Sequence, residues 1–166
     1  MGNKEGGKNE KSECFHLTDN LPGIPKTINS TTLSLPSLLP SLKVCAKKFI
    51  VIVDDSKMVP GLGVTGAMPV EITPFCHEHT QRTILALPGV KGAATGKLRM
   101  EGGKPYVTDN DNYIVDLYYT APIADVKAVA AALEKVVGVV EHGFFLDMTT
   151  AVIVAGKTGI EVINKK

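Results

Sequence analysis

The 166-residue chain lacks the features that mark several large classes of protein. Its three cysteines, Cys14, Cys45 and Cys76, are odd in number and far apart, so they form neither a disulfide framework nor a zinc-binding pattern. A net charge of only +1 gives no electrostatic basis for binding nucleic acid or an anionic membrane. No apolar run approaches the roughly 18 residues of a membrane-spanning helix. The composition, 44% hydrophobic and 21% charged, is typical of a globular protein.

Residues 1–46 differ in composition from the rest of the chain. The opening MGNKEGGKNEKSE has no apolar period, and a segment that buries little apolar surface does not offset its ordering entropy. Residues 27–43 are rich in serine and threonine, contain no acidic residue and end in Lys43, as organelle transit peptides do. A proline-interrupted linker explains them equally well. We therefore predict that residues 1–46 are disordered or transit-like.

The stretch KKFIVIVDDSK, residues 47–57, carries the first functional signal. Residues 49–53 are wholly apolar, which favours a short strand buried on both faces, as in a parallel sheet. Ligands bind at the carboxyl ends of such strands in open α/β folds, so Lys57 is a candidate substrate-binding residue. An ordinary solvated turn at residues 54–57 is the alternative interpretation.

A glycine-rich segment follows, in which Gly61, Gly63 and Gly66 have the spacing of a dinucleotide-binding fingerprint. That fingerprint requires its last glycine to open a helix that binds a pyrophosphate. A strand-like run beginning near Met68 follows instead. We interpret the glycines as a flexible connection between subdomains.

Cys76, His77 and His79 suggest a metal site, but residues one and two apart on a helix point in different directions. Ligands on one helical face are three or four residues apart. These side chains are therefore predicted to be surface residues, and no metal or cofactor is assigned to the chain.

The clearest structural signal lies between residues 68 and 148. Pro122 is predicted in the first turn of the second helix, and Gly138 as its left-handed cap. The predicted order is strand 70–75, helix 76–87, two or three strands within residues 93–120 with turns at 101–105 and 109–112, helix 122–138 and strand 139–145. This β-α-β-β-α-β order is that of a ferredoxin-like fold.

Beyond this unit, residues 149–166 read as a strand, a Gly-Lys-Thr-Gly hairpin turn and a further short strand. The strand at residues 152–155 cannot join the ferredoxin-like unit without adding a strand to it. We therefore predict that it pairs near residues 49–53, in a second and incomplete sheet.

Several of these segments resemble the C-terminal half of type A ribose-5-phosphate isomerase, especially its plastid form. They occur in order from residue 47 to residue 166: FIVIVDDSK, MPVEITPF, KPYVTDNDNYIVDLYY and VVEHGFFLDMTTAVIVAGKTGIEV. The resemblance implies a doubly wound α/β domain with a ferredoxin-like lid inserted near its end. The predicted fold is thus mixed α/β and α+β, with residues 68–148 as the lid domain. Residues 47–67 and 149–166 are then remnant strands of the α/β domain.

The resemblance also implies a function. The family interconverts ribose 5-phosphate and ribulose 5-phosphate, an aldose-ketose isomerisation of the pentose phosphate pathway and Calvin cycle, without metal and as dimers or tetramers. Lys57, which ends an Asp-x-Ser-Lys segment, matches a family substrate-binding position. The phosphate-binding turn, the Asp-Gly-Ala-Asp and Lys-Gly-Gly segments and the glutamate base have no counterpart, so no catalytic residue is assigned. Moving a proton between C1 and C2 requires a general base and a group that stabilises the enediolate oxygen.

Three interpretations remain open at this point. The chain is a truncated isomerase-family protein, inactive alone and located in the plastid or cytoplasm. Alternatively, it is a non-catalytic lid or oligomerisation module that associates with intact isomerase subunits or with itself. The third interpretation is a small-molecule-binding ferredoxin-like domain. If activity is found, Glu71 and Glu141 are the first bases to test. None of the three interpretations includes a nucleic acid or membrane partner.

Overall fold

The computed structural model describes residues 15–18, 27–30, 48–59, 61–157 and 159–164. In chain order the elements are β1 (Phe15–Thr18), β2 (Thr27–Ser30), β3 (Ile50–Asp54), a 3-10 turn (Asp55–Lys57), β4 (Met58–Val59), β5 (Met68–Ile72), α1 (His77–Ala86), β6 (Ala94–Leu98), β7 (Met100–Glu101), β8 (Lys104–Pro105), β9 (Tyr113–Tyr119), α2 (Val126–Leu133), β10 (Val139–His142), β11 (Phe144–Leu146), β12 (Ala151–Gly156) and β13 (Gly159–Asn164). Neither helix in this part of the chain is long and apolar enough to span a membrane.

The largest unit is a four-stranded antiparallel sheet with strand order β10-β5-β9-β6. Along the chain, β5, β6, β9 and β10 are the first, second, third and fourth strands of this unit, so the spatial order is 4-1-3-2. Helix α1 follows the first strand, and α2 follows the third. The ferredoxin-like β-α-β-β-α-β order predicted from the sequence is confirmed. The short β7-β8 hairpin branches from it, and its turn uses Gly102 and Gly103 at positive φ.

Strand alternation builds the core of this unit. Alternate residues of β5 and β9 pack in one cluster with residues of the two helices, and five of these side chains are completely buried: Met68, Val70, Ile72, Val115 and Leu117. Ile84 from α1 and Leu133 from α2 pack in the same cluster. The antiparallel sheet and its two helices therefore enclose one continuous apolar core.

Helix α2 begins later than predicted. Its N-cap is Asp125, whose side chain accepts the backbone N–H of Ala128 at 2.9 Å. The prediction that Pro122 lies in the first helical turn was wrong, because the aspartate provides the stronger start signal. Gly138 adopts a positive φ, as predicted, with a value of 95°. It lies in the turn before β10, however, and not at the end of α2.

The single strand predicted at residues 139–145 is divided at Gly143. Before it, β10 belongs to the ferredoxin-like sheet; after it, β11 pairs in parallel with β1. The Gly143 N–H donates to the Pro69 carbonyl at 2.9 Å, so the chain leaves the unit beside the point at which it enters.

The second sheet has the order β13-β12-β3, with β12 parallel to β3 and antiparallel to β13. Val152 lies opposite Val51 and Val154 opposite Val53. The predicted pairing of residues 152–155 with residues 49–53 is thus confirmed, as is the hairpin turn between β12 and β13.

The two faces of this second sheet differ sharply. One face packs in a small cluster of Val53, Phe145, Met148, Val152 and Val154. The other exposes Ile50 (51%), Ile52 (71%), Ile160 (77%) and Val162 (57%). The prediction that residues 49–53 are buried on both faces was wrong in this structure.

Two short strands lie within residues 1–46, where no strand was predicted. β1 and β2 pair with each other and form a sheet of order β11-β1-β2-β4. The other residues of this segment lie outside the described part of the chain. Its assignment as disordered or transit-like, like the domain boundaries, stays a prediction.

The glycine-rich segment is packed rather than flexible, contrary to our interpretation. Leu62 is buried, and its carbonyl accepts the N–H of Ile123 at 3.0 Å. A side chain at Gly61 would meet Pro122 at 2.7 Å, and Gly63 adopts a φ of 99°. The glycines permit close packing, and strand β5 follows them, as the argument against a nucleotide site expected.

Candidate functional site

The candidate site lies at the carboxyl end of β3. Here the extended backbone of Asp54 leads into the 3-10 turn, and its carboxylate accepts the backbone N–H of Ser56 at 2.8 Å. The same carboxylate also accepts the Ser56 hydroxyl. These two bonds close the turn locally and set the position of Lys57, the last residue of the turn.

Electrostatics at this turn are set by the same contacts. The hydrogen bonds from Ser56 hold the pKa of Asp54 below its ordinary value of 3.8, with a smaller contribution from the charge of Lys57. A carboxylate with a lowered pKa is a weak base at neutral pH. Asp54 therefore suits the positioning of the turn and not the removal of a carbon-bound proton.

Lys57 is half-buried and is followed directly by β4, which pairs with β2. The parallel neighbour β12 ends at the same sheet edge, because Ala155 lies opposite Asp54. Lys157, exposed in the β12-β13 turn, comes to this edge as well. Sequence reasoning treated Lys157 only as a turn residue; the predicted pairing of β3 with β12 was the signal that could have identified it.

The possible metal ligands do not form a site. Cys76 and His79 are exposed, whereas the His77 ring packs edge-on against Tyr113 at 5.3 Å. With its proton on Nδ1, His77 donates to the Pro74 carbonyl at 3.2 Å. Across the residues that the structure describes, no three His, Cys, Asp or Glu side chains are grouped as metal ligands.

The two glutamates considered as bases lie on the ferredoxin-like sheet, opposite each other on β5 and β10. Glu71 is buried and accepts hydrogen bonds from Thr108 Oγ1 at 2.7 Å and Asn112 Nδ2 at 3.0 Å. These bonds hold the loop before β9. The structure therefore gives Glu71 an anchoring role in the ferredoxin-like unit.

A groove of about 860 Å³ separates the exposed sides of α1 and α2. Phe75 and Val137 flank it, and Lys135 and His79 are among its polar lining residues. Its size is within the usual range for small-molecule sites, although no described contact selects a ligand.

Comparison with known proteins identifies the family. Residues 41–159 match the family model of ribose 5-phosphate isomerase A (phosphoriboisomerase A). The chain is 52% identical over 122 residues to "Probable ribose-5-phosphate isomerase 3, chloroplastic" of Arabidopsis thaliana, covering 72% of this chain and 44% of that protein. It is 40% identical over 120 residues to the ribose-5-phosphate isomerase of Plasmodium falciparum, covering 71% of this chain and 50% of that protein.

Solved structures agree. The Plasmodium falciparum isomerase superposes with a TM-score of 0.73 at 35% identity, covering 79% of this chain and 56% of that one. A D-ribose-5-phosphate isomerase in complex with phospho-erythronic acid superposes with a TM-score of 0.67 at 27% identity, covering 84% and 59%. The chain spans about half the length of the curated relatives it matches. The predicted resemblance is confirmed, and the chain belongs to the ribose 5-phosphate isomerase A family.

Proposed function

We propose that this chain binds ribose 5-phosphate and ribulose 5-phosphate at the carboxyl end of β3, with Lys57 contacting the sugar phosphate. The binding would serve the aldose-ketose isomerisation for which its relatives are named. The observation that carries this proposal is the placement of Lys57 on a turn closed by Asp54 and Ser56, where two parallel strands end.

A lysine at this position suits an anionic ligand. Its ammonium group donates charge-assisted hydrogen bonds to phosphate or sugar oxygens, each contributing about 1.5–3 kcal/mol. This corresponds to roughly a tenfold to hundredfold change in affinity when the group is removed. Lys157 adds positive charge at the same sheet edge without belonging to the closed turn.

Binding and catalysis are separated in this proposal. The carboxylates adjoining Lys57 are Asp54 and Asp55, both exposed, and Asp54 has a lowered pKa. Asp54 is therefore a weak base at neutral pH, and neither carboxylate lies in an apolar pocket. We therefore expect the isolated chain to bind sugar phosphate without isomerising it.

Calorimetric titration with ribose 5-phosphate tests the proposal. Lys57→Ala should weaken binding roughly tenfold or more, whereas Lys57→Arg should retain most of it. Lys104→Ala is the matched control, because it removes an exposed cation from the β7-β8 hairpin and not from this edge, so binding should be unchanged. Equal affinity of the wild type and Lys57→Ala would contradict the proposal. Turnover by the pure chain would contradict the separation of binding from catalysis, and Glu71→Gln and Glu141→Gln would then be assayed.

A second candidate function is a non-catalytic lid or oligomerisation module that associates with intact isomerase subunits. The exposed apolar face of β3 and β13 favours it, because isolated soluble proteins rarely leave such contiguous surface uncovered. Co-purification with a full-length family member, followed by measurement of that enzyme's activity, tests this function. Separate elution of the two chains would count against it.

We further propose a plastid location, with the cytoplasm as the alternative. The support is the name of the Arabidopsis relative, which includes the word chloroplastic, and the transit-like composition of residues 27–43. Fusing residues 1–46 to a fluorescent protein in plant cells tests the location. Signal confined to the cytoplasm would contradict it.

A further inference from the structure

The groove between α1 and α2 is lined by one side of each helix. From α1 and its capping residues come Cys76, His79, Thr83 and Leu87, at the spacing of a single helical face. From α2 and the turn after it come Ala128, Ala131, Ala132 and Lys135, at the same spacing. Three small side chains along the face of α2 leave space that larger ones would fill. The groove is therefore a consequence of the alanine pattern.

The two ends of this groove differ in polarity. Because β5 and β9 are antiparallel and each helix runs back along the sheet, α1 and α2 are antiparallel to each other. The start of α1 therefore lies beside the end of α2, where the Thr73 N–H donates to the Gly138 carbonyl at 2.8 Å. Lys135 and His79 line this end of the groove, and Leu87 lines the opposite end.

The polar end carries a positive charge that the described residues do not neutralise. Lys135 is exposed and has no ion pair in the part of the chain that the structure describes. No aspartate or glutamate is among the described residues that line the groove. Glu134, the neighbour of Lys135 in the sequence, instead places Oε1 3.6 Å from Nε2 of the buried His142. A negatively charged ligand at this end would be attracted by Lys135 without repulsion from a lining carboxylate.

The rest of the groove offers mainly apolar contact. The hydroxyls of Thr80 and Thr83 donate to backbone carbonyls one turn earlier, at 3.4 and 3.0 Å. They are therefore not available as donors to a ligand. Phe75 and Val137 flank the groove with 84% and 91% of their surface exposed, and a ligand beside them would remove apolar area from water.

We propose that this groove binds a small amphipathic carboxylate, with its apolar body against the alanines of α2 and its anionic group at Lys135. One lysine balances one negative charge, which favours a carboxylate over a phosphate group carrying about −1.5 to −2. From Cys76 to Leu87 the groove extends about 16 Å, at about 1.5 Å per helical residue. It shares no residue with the turn at Lys57, so the proposal goes beyond the sugar-phosphate binding proposed above and does not rest on it.

The dimensions of the groove favour a small molecule over a protein partner. Its volume of about 860 Å³ lies within the range of small-molecule pockets, roughly 300–1,000 Å³. Fourteen residues line it, whereas one side of a standard protein interface uses roughly 20–30.

Three probe molecules that share one apolar body test the charge preference: 4-phenylbutyrate, 4-phenylbutanol and 4-phenylbutylamine. Each is titrated into the full chain, and amide NMR shifts report both the affinity and the location of binding. The carboxylate should bind about fivefold more tightly than the alcohol, and the amine should bind most weakly. The difference is modest because Lys135 is exposed. The shifted amides should lie on the facing sides of α1 and α2.

Two variants of the groove, each with a matched control, sharpen this test. Lys135→Glu should reverse the preference between carboxylate and amine, whereas Lys104→Glu makes the same charge change on the β7-β8 hairpin and should preserve it. Ala131→Trp should weaken all three probes about tenfold or more, because the indole fills the groove. Ala121→Trp adds the same side chain at an exposed position that does not line the groove, and it should leave the affinities unchanged.

Cys76 allows a second measurement, because its thiol is exposed and lines the groove. In the full chain with Cys14 and Cys45 replaced by serine, saturating 4-phenylbutyrate should slow the alkylation of Cys76 by iodoacetamide several-fold. 4-Phenylbutylamine at the same concentration should slow it much less.

Each contrary result overturns the proposal. Equal binding of the acid and the amine, shifts centred outside the groove, or full affinity in Ala131→Trp would exclude this site. Absence of binding by all three probes would also exclude it, and a change of molecular mass in Val137→Asp would then assign the groove to a protein contact. Circular dichroism confirms folding, and Lys135→Glu with the protection of Cys76 decides the question if Ala131→Trp is unfolded. Lys57→Ala should not alter 4-phenylbutyrate binding, so this proposal and the sugar-phosphate proposal can fail separately.

Discussion

The two main sheets of this chain differ in how much of their apolar surface is buried. In the ferredoxin-like unit, Met68, Val70 and Leu117 are completely shielded from solvent by the chain's own helices. In the β13-β12-β3 sheet, equally apolar residues such as Ile52 and Ile160 are largely exposed. The two regions have similarly apolar strands. They differ in how many faces of the sheet are covered by other parts of the chain.

This contrast follows from the strand directions. An antiparallel sheet is stable with one face packed on a core, and its other face then carries polar groups such as Glu71 and Asp116. A sheet with a parallel pair normally has helices on both faces, and its strands are apolar throughout. The first unit is therefore complete within this chain, whereas the β3-β12 pair carries a sequence suited to cover on both sides.

The sharpest test of the comparison is to separate the two regions. A fragment of residues 68–147 should fold cooperatively and remain monomeric, because it retains all buried residues of this core except Leu62 and lacks the exposed apolar face. The full chain should self-associate under the same conditions. Light scattering coupled to gel filtration measures both. A fragment that aggregates or fails to unfold cooperatively would show that the ferredoxin-like unit depends on the rest of the chain.

Truncating one core side chain in each region should show the next largest difference. Leu117→Ala removes a completely buried side chain and should lower the free energy of unfolding by about 2–5 kcal/mol. Ile52→Ala, the matched control on the exposed face, should change the stability of the monomer by about 0.5 kcal/mol or less. Urea denaturation at low protein concentration measures both values. Similar losses would mean that Ile52 is covered in solution.

The polar face of the ferredoxin-like sheet contains a nearly buried ion pair, in which Arg99 binds Asp116 through Nε at 2.9 Å and Nη2 at 2.6 Å. Asp116→Ala leaves the guanidinium without this partner and should cost about 1.5–3 kcal/mol of stability. The double variant Arg99→Met/Asp116→Leu should recover most of this loss, because it removes both charges together. Thermal unfolding measures the stability of the two variants. A double variant no more stable than Asp116→Ala would show that the unpaired guanidinium is not the cause of the loss.

The smallest effect is expected at Asp54. Its pKa is lowered in the folded chain, so its stabilising contribution is present above the unfolded value near 3.8 and is lost as the pH falls through the lower folded value. The effect should be slight because Asp54 is exposed. NMR titration of the carboxyl group should give a midpoint below 3.8 that moves upward in Ser56→Ala. An unchanged midpoint would exclude the Ser56 hydroxyl as the main cause.

Local signals in the sequence predicted much of the fold. Alternation along residues 113–119 and the spacing of apolar residues before Gly138 were sufficient for the ferredoxin-like order, because those contacts lie within one unit. The apolar run at residues 49–53 also predicted a strand beside residues 152–155 correctly. It could not predict exposure of Ile50 and Ile52, since burial depends on what packs against the strand and not on the strand itself.

The candidate site was only partly predictable for a similar reason. Lys57 could be put forward as a candidate because strand and turn are adjacent in the sequence. Lys157 was missed, although the predicted pairing of β3 with β12 would have brought it to the same edge. The division at Gly143 was also missed, since a single glycine within an apolar run gives no sign that the chain passes from one sheet to another.

The hydrogen bond from Gly143 to Pro69 has a consequence for how this chain could be rebuilt. Residues 70–142 enter and leave the remainder of the protein at one point, where the N and O atoms are 2.9 Å apart. Insertions with adjacent ends are the kind that proteins gain, lose and exchange most readily. The whole ferredoxin-like unit is therefore an insertion whose two ends are adjacent in space. A short turn could join Pro69 to Gly143 without moving either residue, and a different module with similarly spaced ends could be grafted in the same place.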